Sequence, residues 1–239
     1  MNDTIASYTD GIIVEKSNII INGSNHTIYG YSDGCGVYLK EVRNVTIKDL
    51  RIENFKFGAF LYAASQCKFY GNTLINNTQY GLGIQSSSNV TVSNNVIAEN
   101  TNYGISIWGH SQDIFLKRNK IIKSDLAGIL ISNSISVIIS KNDVSENVDG
   151  ILLYNATNNM IIENNITRNK HSGIEIVLAS SGNKIYHNNF INNSFHATTF
   201  YGPINAWDDG YPSGETIGAT TRVLIRKADL TKTCPEAMV

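Results

Sequence analysis

Charge is scarce in this sequence, and neither sign predominates. Only 16% of the 239 residues are charged, and the formal net charge is −1. Proteins that bind nucleic acid usually carry a basic face or a run of basic residues, and this sequence has no such basic field. We therefore expect no nucleic-acid partner.

Cysteines and long apolar runs are also few. The cysteines Cys35, Cys67 and Cys234 lack the spacing of a zinc site or of a disulfide framework, so we predict buried or incidental thiols. No stretch approaches the roughly 18 apolar residues that cross a bilayer, so we expect no membrane span. No segment has the periodicity of a helix about ten residues long, so we expect an all-β chain.

A repeat of 22–24 residues dominates the sequence instead. Each block opens with a glycine and an aliphatic alternation and then reaches asparagine-rich turns. The opening glycines are Gly36, Gly58, Gly81, Gly104, Gly128, Gly150 and Gly173. Asparagines recur after these glycines at Asn72, Asn95, Asn119, Asn142, Asn164 and Asn188, and again at Asn77, Asn100, Asn147, Asn169 and Asn193. A period kept this regularly indicates a repeat architecture.

Each block contains three short alternations of apolar residues, separated by Asn, Ser and Gly. Such runs are typical of short strands joined by tight turns. Three strands in every coil predict a single-stranded right-handed parallel β-helix of about eight coils, in which each strand pairs with its counterpart one coil away, ~4.8 Å along the axis. Residues one and three positions after each glycine should point inward and stack, as Ile105 and Ile107 do in their coil.

The recurring asparagines have a structural interpretation in this geometry. Turns that bend the coil need residues that tolerate left-handed backbone angles, and Asn tolerates them. A side-chain amide can also donate to and accept from the Asn above and below. We therefore predict asparagine ladders that stabilise the coil and have no catalytic role.

The blocks resemble the β-helix repeats of NosD-like proteins, within the wider class of carbohydrate-binding proteins and sugar hydrolases, in the form found in archaeal cell-surface proteins. The segment NAWDDGYPSG, residues 205–214, is similar to the loop that closes the helix in that group. The resemblance implies an extracellular or cell-surface location. It does not bring copper binding to this chain, because the sequence shows no cluster of His, Met and Cys.

These features divide the chain into three parts, which are a β-helix over residues 1–203, a closing loop over 204–214 and a divergent tail over 215–239. We expect the N-terminal cap of the β-helix to be missing. Residues 215–222 can be encoded so that a shift of one base yields Asn-Tyr-Trp-Ser-Asp-Tyr-Thr, the continuation usual in the group. We therefore expect a frameshifted tail, and a naturally divergent tail is the alternative.

Candidate catalytic groups are sparse. Asp208 and Asp209 form the only adjacent acidic pair near the repeat, and a turn-forming role explains them better than catalysis. The histidines His110, His171 and His187 occur at different offsets in different coils, which favours solvated turn residues over metal ligands or bases. Glu175 near His171 is a weak acid–base pair. We expect no catalytic residue, no metal and no cofactor, which favours a protein that is not an enzyme.

The outward positions of the first strand offer a better candidate site. Two and four residues after each glycine the side chains should face water, and several are aromatic or apolar, which soluble chains avoid in bulk. Aromatic faces suit sugar rings. The predicted ligand-binding residues are Tyr38, Phe60, Tyr62, Trp108, Tyr154 and Glu175.

Three functions remain open from the sequence. The first is a non-catalytic module that binds a polysaccharide or other glycan through this aromatic stripe. The second is a structural or adhesive element of a larger envelope protein, in which the stripe contacts a protein partner or a second copy of the chain. The third is a degenerate polysaccharide lyase or hydrolase, which predicts a cluster of acids in one groove of the folded chain.

Overall fold

The computed structural model describes residues 4–200, 205–207 and 223–225, without the side chains of residue 200, residues 206–207 and residues 223–225. Within these residues the secondary structure consists of parallel strands and contains no helix. The strands form three sheets, and each coil contributes one strand to each sheet in the order B, C, A.

Sheet A contains nine strands: β1 (Ile5–Ser7), β4 (Thr27–Gly30), β7 (Arg51–Glu53), β10 (Thr73–Ile75), β13 (Val96–Ala98), β16 (Lys120–Ile122), β19 (Asp143–Ser145), β22 (Asn165–Thr167) and β25 (Asn189–Ile191). Sheet B contains ten: β2 (Ile12–Val14), β5 (Cys35–Lys40), β8 (Phe57–Tyr62), β11 (Tyr80–Gln85), β14 (Tyr103–Trp108), β17 (Ala127–Ser132), β20 (Asp149–Tyr154), β23 (Ser172–Val177), β26 (Phe195–Phe200) and β28 (Val223–Ile225). Sheet C contains nine: β3 (Ile20–Asn22), β6 (Thr46–Lys48), β9 (Lys68–Tyr70), β12 (Ser88–Ser93), β15 (Gln112–Lys117), β18 (Ile135–Ser140), β21 (Met160–Ile162), β24 (Lys184–Tyr186) and β27 (Ala206–Trp207).

This architecture confirms the predicted all-β parallel β-helix of about eight coils. Each strand pairs with its counterpart one coil away, so Ile105 lies beside Leu82 on one side and Ile129 on the other. These side chains are completely buried and stack along the axis. Because a fully buried aliphatic side chain contributes roughly 1.5–3 kcal/mol, the stacked columns provide the core of the described β-helix.

The repeated glycines are required by the close approach of adjacent coils. A Cβ atom added at Gly81 would lie 2.5 Å from Ile97 Cγ2 and 2.7 Å from the carbonyl oxygen of Gly104, one coil away. Neither distance is compatible with a side chain. The glycine column therefore follows from the packing of backbone against backbone, and it keeps the coils in register.

Two long asparagine ladders run along the helix, as predicted, and a shorter one links Asn159, Asn183 and Asn205 in the turn from sheet B to sheet C. In the turn from sheet C to sheet A, Asn72 Nδ2 donates to Asn95 Oδ1 at 3.1 Å, and Asn95 Nδ2 donates to Asn119 Oδ1 at 2.9 Å. The same Asn95 oxygen accepts the backbone N–H of Asn72 at 2.9 Å. Since these amides are buried, the ladder satisfies polar groups that would otherwise destabilise the fold.

The prediction that the ladder asparagines themselves take left-handed backbone angles is wrong. The positive φ belongs to the residue immediately before each one, as at Arg118 (φ 55°), Lys141 (φ 56°) and Glu163 (φ 54°). These three residues are exposed, whereas the asparagines that follow them are buried. The left-handed residue turns the chain with its side chain in solvent, and the asparagine then points between the coils.

Two of the cysteine predictions fall on described residues and are confirmed, because Cys35 and Cys67 are buried free thiols. Burial, with the neighbouring Asp10 carboxylate, raises the pKa of Cys35 to about 12. Cys234 and Asp208 lie outside the described residues, as does Asp209. The closing loop and the tail are described only at residues 205–207 and 223–225, so both assignments stay predictions.

The second ladder, in the turn from sheet A to sheet B, has one irregular position. Ser124 stands where the other coils have Asn100 and Asn147, and its backbone N–H donates to Asn147 Oδ1 at 2.9 Å. Its Oγ is buried and has no hydrogen-bond partner among the described residues. A buried hydroxyl without a partner reduces stability.

We therefore expect Ser124→Asn to stabilise the protein. The new amide would donate to Asn147 and accept from Asn100, and each added hydrogen bond contributes roughly 1 kcal/mol. Urea denaturation should show a higher unfolding free energy for this variant. Ser124→Ala, which removes the hydroxyl without restoring the ladder, is the matched control, and a destabilised Ser124→Asn would contradict the ladder as the source of stability.

Candidate functional site

The outer face of sheet B carries the predicted site. Residues two and four positions after each repeated glycine point to this face, while those one and three positions after it are completely buried. A further column, one residue before each glycine, borders the same face: Tyr80 meets the Trp108 ring edge-on at a centroid distance of 5.7 Å. The face is therefore three side chains wide.

Seven aromatic side chains form a continuous cluster on this face, which we call the aromatic platform. Its members are Tyr38, Phe57, Phe60, Tyr62, Tyr80, Tyr103 and Trp108. Phe60 is central. Its ring stacks on Tyr38 at 5.5 Å with an interplanar angle of 15°, and on Trp108 at 5.6 Å with an angle of 11°.

Phe60 and Trp108 meet although their strands, β8 and β14, are separated by β11. The residue of β11 in register with Phe60 is Gly83, and that of β14 is Ser106. A Cβ atom at Gly83 would lie 3.0 Å from Phe60 Cδ2 and 3.1 Å from Trp108 Cη2. The stack therefore depends on the missing side chain at Gly83.

Because the rings cover one another, the platform residues are half-buried and not fully exposed. Burial raises the pKa of Tyr80 and of Tyr103, so both phenols stay neutral through and above the physiological range. The platform thus offers uncharged aromatic faces and edges with hydroxyl groups at its margin. This combination suits a ligand with apolar faces and polar rims.

Two of the six predicted ligand-binding residues lie outside the platform. Tyr154 is 43% exposed on β20 and makes no ring contact with another aromatic residue of the described chain. Glu175 lies on β23 in a separate polar cluster. The structure therefore brings together Tyr38, Phe60, Tyr62 and Trp108.

The second cluster on this face, which we call the acid–histidine cluster, consists of Asp149, His171 and Glu175. One donor atom from each lies within 4.8 Å of the other two. His171 Nδ1 is 2.8 Å from Asp149 Oδ1, and the same oxygen accepts the backbone N–H of Ser172 at 2.9 Å. All three side chains are half-buried.

The surroundings of the cluster shift the pKa of Glu175. Burial raises the pKa of Glu175, and the negative charge of Asp149 raises it further, whereas His171 acts in the opposite direction. Asp149 begins β20, and Glu175 lies in β23, so two neighbouring strands bring the two carboxyl groups together. Two carboxylates thus face one imidazole in a partly desolvated site.

The sequence predicts only a weak acid–base pair of Glu175 and His171, and it does not point to Asp149. His171 was expected to be a solvated turn residue, yet in the structure it contacts the Asp149 carboxylate. The sequence signal for Asp149 is its position in the repeat. Asp149 immediately precedes Gly150, and Ser172 immediately precedes Gly173, so the two residues occupy equivalent positions that stack in adjacent coils. Comparing the residue before each glycine in adjacent coils would have placed Asp149 beside Ser172.

The two clusters share one surface. Tyr103, Ala127 and Asp149 are successive members of the same column. Two coil spacings, or about 10 Å, therefore separate the edge of the platform from the acid–histidine cluster. A chain-like ligand lying along the helix axis would pass from one to the other.

These features define a parallel β-helix with an aromatic and acidic outer face. The sequence matches the family described as periplasmic copper-binding protein (NosD) over residues 17–222, and the chain belongs to this family. Among curated protein sequences, none matches the chain. Over the described residues, no helix is both long and apolar enough to cross a membrane.

Solved structures with the same fold include polysaccharide-modifying enzymes. The periplasmic alginate epimerase AlgG has a TM-score of 0.67 at 22% identity, covering 77% of this chain and 50% of that one. The A-module of mannuronan C-5 epimerase AlgE6 from Azotobacter vinelandii has a TM-score of 0.67 at 15% identity, covering 86% and 71%. DFA-IIIase from Arthrobacter chlorophenolicus A6, without its lid, has a TM-score of 0.59 at 12% identity, covering 73% and 53%. This chain spans about half the length of AlgG, and at these identities the likeness shows the fold alone.

The role of Gly83 in the platform can be tested by Gly83→Ala. The added methyl group would displace the Phe60 and Trp108 rings, because it would lie 3.0 Å and 3.1 Å from them, which is closer than ordinary van der Waals contact. In a Trp207→Phe background, where Trp108 is the one tryptophan left, we expect a clear change in near-ultraviolet circular dichroism and in tryptophan emission. Thr91→Ala, on the outer face of sheet C, is the control, and unchanged spectra for Gly83→Ala would contradict the stack.

Proposed function

We propose that this protein is a non-catalytic carbohydrate-binding β-helix module that acts outside the cytoplasm, in secreted form or at the cell surface. The observation that carries this proposal is the stack of Phe60 between Tyr38 and Trp108 on the outer face of sheet B. Sugar rings present apolar C–H faces and polar rims, and aromatic side chains at binding sites commonly contact such faces. The proposed site is the aromatic platform.

The dimensions of the platform suit an extended saccharide. Its residues come from four consecutive strands of sheet B, from β5 to β14. Three coil spacings correspond to about 14 Å along the axis, which is enough for several linked sugar units. An oligosaccharide would therefore contact the platform better than a monosaccharide.

The charges beside the platform favour an acidic or neutral glycan over a basic ligand. Lys56 Nζ lies 5.7 Å from the centroid of the Phe57 ring, and Lys40 is exposed and in register with Tyr62. Lysine residues therefore lie beside the aromatic surface, and their positive charge would attract a carboxylate on a bound sugar. We therefore expect polyuronates such as alginate to bind at least as well as neutral chains.

The comparisons support the class of ligand and the location. Two of the structures with this fold are named as alginate or mannuronan epimerases, and the family is described as periplasmic. These names describe the activities of the compared proteins. For this chain they support a glycan ligand and a non-cytoplasmic location.

The direct experiment measures binding of alginate and neutral oligosaccharides to the full chain and to variants of the platform. We expect Phe60→Ala and Trp108→Ala each to weaken binding roughly tenfold or more, a loss of about 1.4 kcal/mol. Phe115→Ala is the matched control, because Phe115 is an exposed aromatic residue on sheet C, away from the platform. Glycan arrays followed by calorimetry provide the measurement.

Two outcomes would contradict this function. Undiminished glycan binding by Trp108→Ala would remove the platform from the site. Concentration-dependent self-association that disappears in Trp108→Ala or Tyr62→Ala, with no glycan binding, would instead support the structural or adhesive role. Light scattering on the same samples separates this role from glycan binding.

The acid–histidine cluster favours polysaccharide cleavage as a second candidate function. Asp149 and Glu175 place two carboxyl groups together on the same face as the platform, as expected for a degenerate lyase or hydrolase. If this function is correct, incubation with alginate should release reducing or unsaturated sugars, and Asp149→Asn should abolish the release. Absence of both products from every glycan that binds would exclude the second candidate.

A further inference from the structure

The acid–histidine cluster has the donor groups of a metal site. His171 offers an imidazole nitrogen, and Asp149 and Glu175 offer carboxylate oxygens, all within 4.8 Å of one another. Within the described residues this is the one group of three or more His, Cys, Asp or Glu donors so close together. Three protein ligands with remaining open positions are typical of metal sites that also bind water or another ligand.

The donors lie on or next to two neighbouring strands, because Asp149 begins β20, Glu175 lies in β23 and His171 immediately precedes β23. Asp149 Oδ1 accepts the Ser172 backbone N–H at 2.9 Å, and Ser172 Oγ lies 2.8 Å from Thr198 Oγ1. Such contacts orient ligand side chains before a metal arrives.

Electrostatics favour a cation at this position. Two carboxylates and one imidazole leave the cluster with a net negative charge whenever both acids are ionised. The nearby Phe195 ring, 5.7 Å from the His171 ring, adds no charge. A bound divalent cation would remove the repulsion between Asp149 and Glu175.

We propose that Asp149, His171 and Glu175 bind one divalent transition-metal ion on the outer face of sheet B. The donor set selects the class of ion. Imidazole suits Cu²⁺ and Zn²⁺, whereas Cu⁺ prefers sulfur ligands, which this cluster lacks. Ca²⁺ and Mg²⁺ prefer sites made of oxygen ligands alone.

The family description names copper, and the acid–histidine cluster fits its divalent form. The expected order of affinity is Cu²⁺ above Zn²⁺ above Mn²⁺. A metal ion bound to His171 Nδ1 would replace the hydrogen bond between His171 and Asp149. Both residues would then be ligands of the ion. Binding to this site does not depend on a glycan, so the proposal is independent of the carbohydrate function.

The test is a titration of the metal-free full chain with Cu²⁺ and, separately, with Zn²⁺, by calorimetry. We expect one ion per chain, with the electron paramagnetic resonance spectrum of the Cu²⁺ form showing hyperfine splitting from one imidazole nitrogen. His171→Gln and Glu175→Gln should each weaken binding at least tenfold. His110→Gln is the matched control, because His110 is an exposed histidine elsewhere on the helix.

Thermal unfolding of each variant checks that the fold is retained, and Glu175→Gln keeps the test valid if His171→Gln does not fold. The proposal is overturned if the parent protein binds no ion stoichiometrically. It is equally overturned if folded His171→Gln or Glu175→Gln binds Cu²⁺ as tightly as the parent. Loss of binding in His110→Gln alone would assign the ion to a different site.

Discussion

Each buried asparagine amide in this helix must find hydrogen-bond partners in the adjacent coils, and the rest of the structure depends on that requirement. Asn119 Nδ2, for example, donates to Asn142 Oδ1 at 3.0 Å and to the carbonyl oxygen of Val92 at 2.9 Å. These contacts form only when successive coils keep the same register. The glycine column allows the close approach, and the stacked aliphatic side chains fill the interior.

A register fixed in this way leaves the outer faces free to vary. On sheet B, small residues at Gly83 and Ser106 leave space for Trp108 to reach Phe60 across one intervening strand. Two coils beyond Tyr103, Asp149 occupies the position that is aromatic in earlier coils. One regular scaffold therefore presents an aromatic surface and an acidic surface in succession along the same axis.

Much of this fold could be predicted from the sequence, because its period is set by local chemistry. Inward positions such as Ile129 and Ile151 follow from alternation after each glycine, and the buried ladders follow from the asparagine spacing. The left-handed position was misplaced by one residue, because both Asn and the residue before it occur in the turn and composition does not distinguish them. The backbone angle of Arg118 is apparent only in the folded turn.

The candidate site was less accessible to prediction, since it depends on contacts between coils. Outward aromatics were identified correctly as residues of one face, but their mutual burial depends on the absence of a side chain at Gly83. Asp149 was not predicted, because its partner His171 lies 22 residues later and short sequence motifs rarely span such a separation. The family to which the chain belongs is described as periplasmic and copper-binding, and that description identifies no residue of this chain.

The central claim is that the outer face of sheet B is the functional surface of this β-helix. A crystal structure of the protein soaked with an alginate oligosaccharide tests it most directly. We expect density for the sugar along the axis, with a ring packed against Phe60 and Trp108. Density on the outer face of sheet A or sheet C, with the aromatic platform bare, would contradict it.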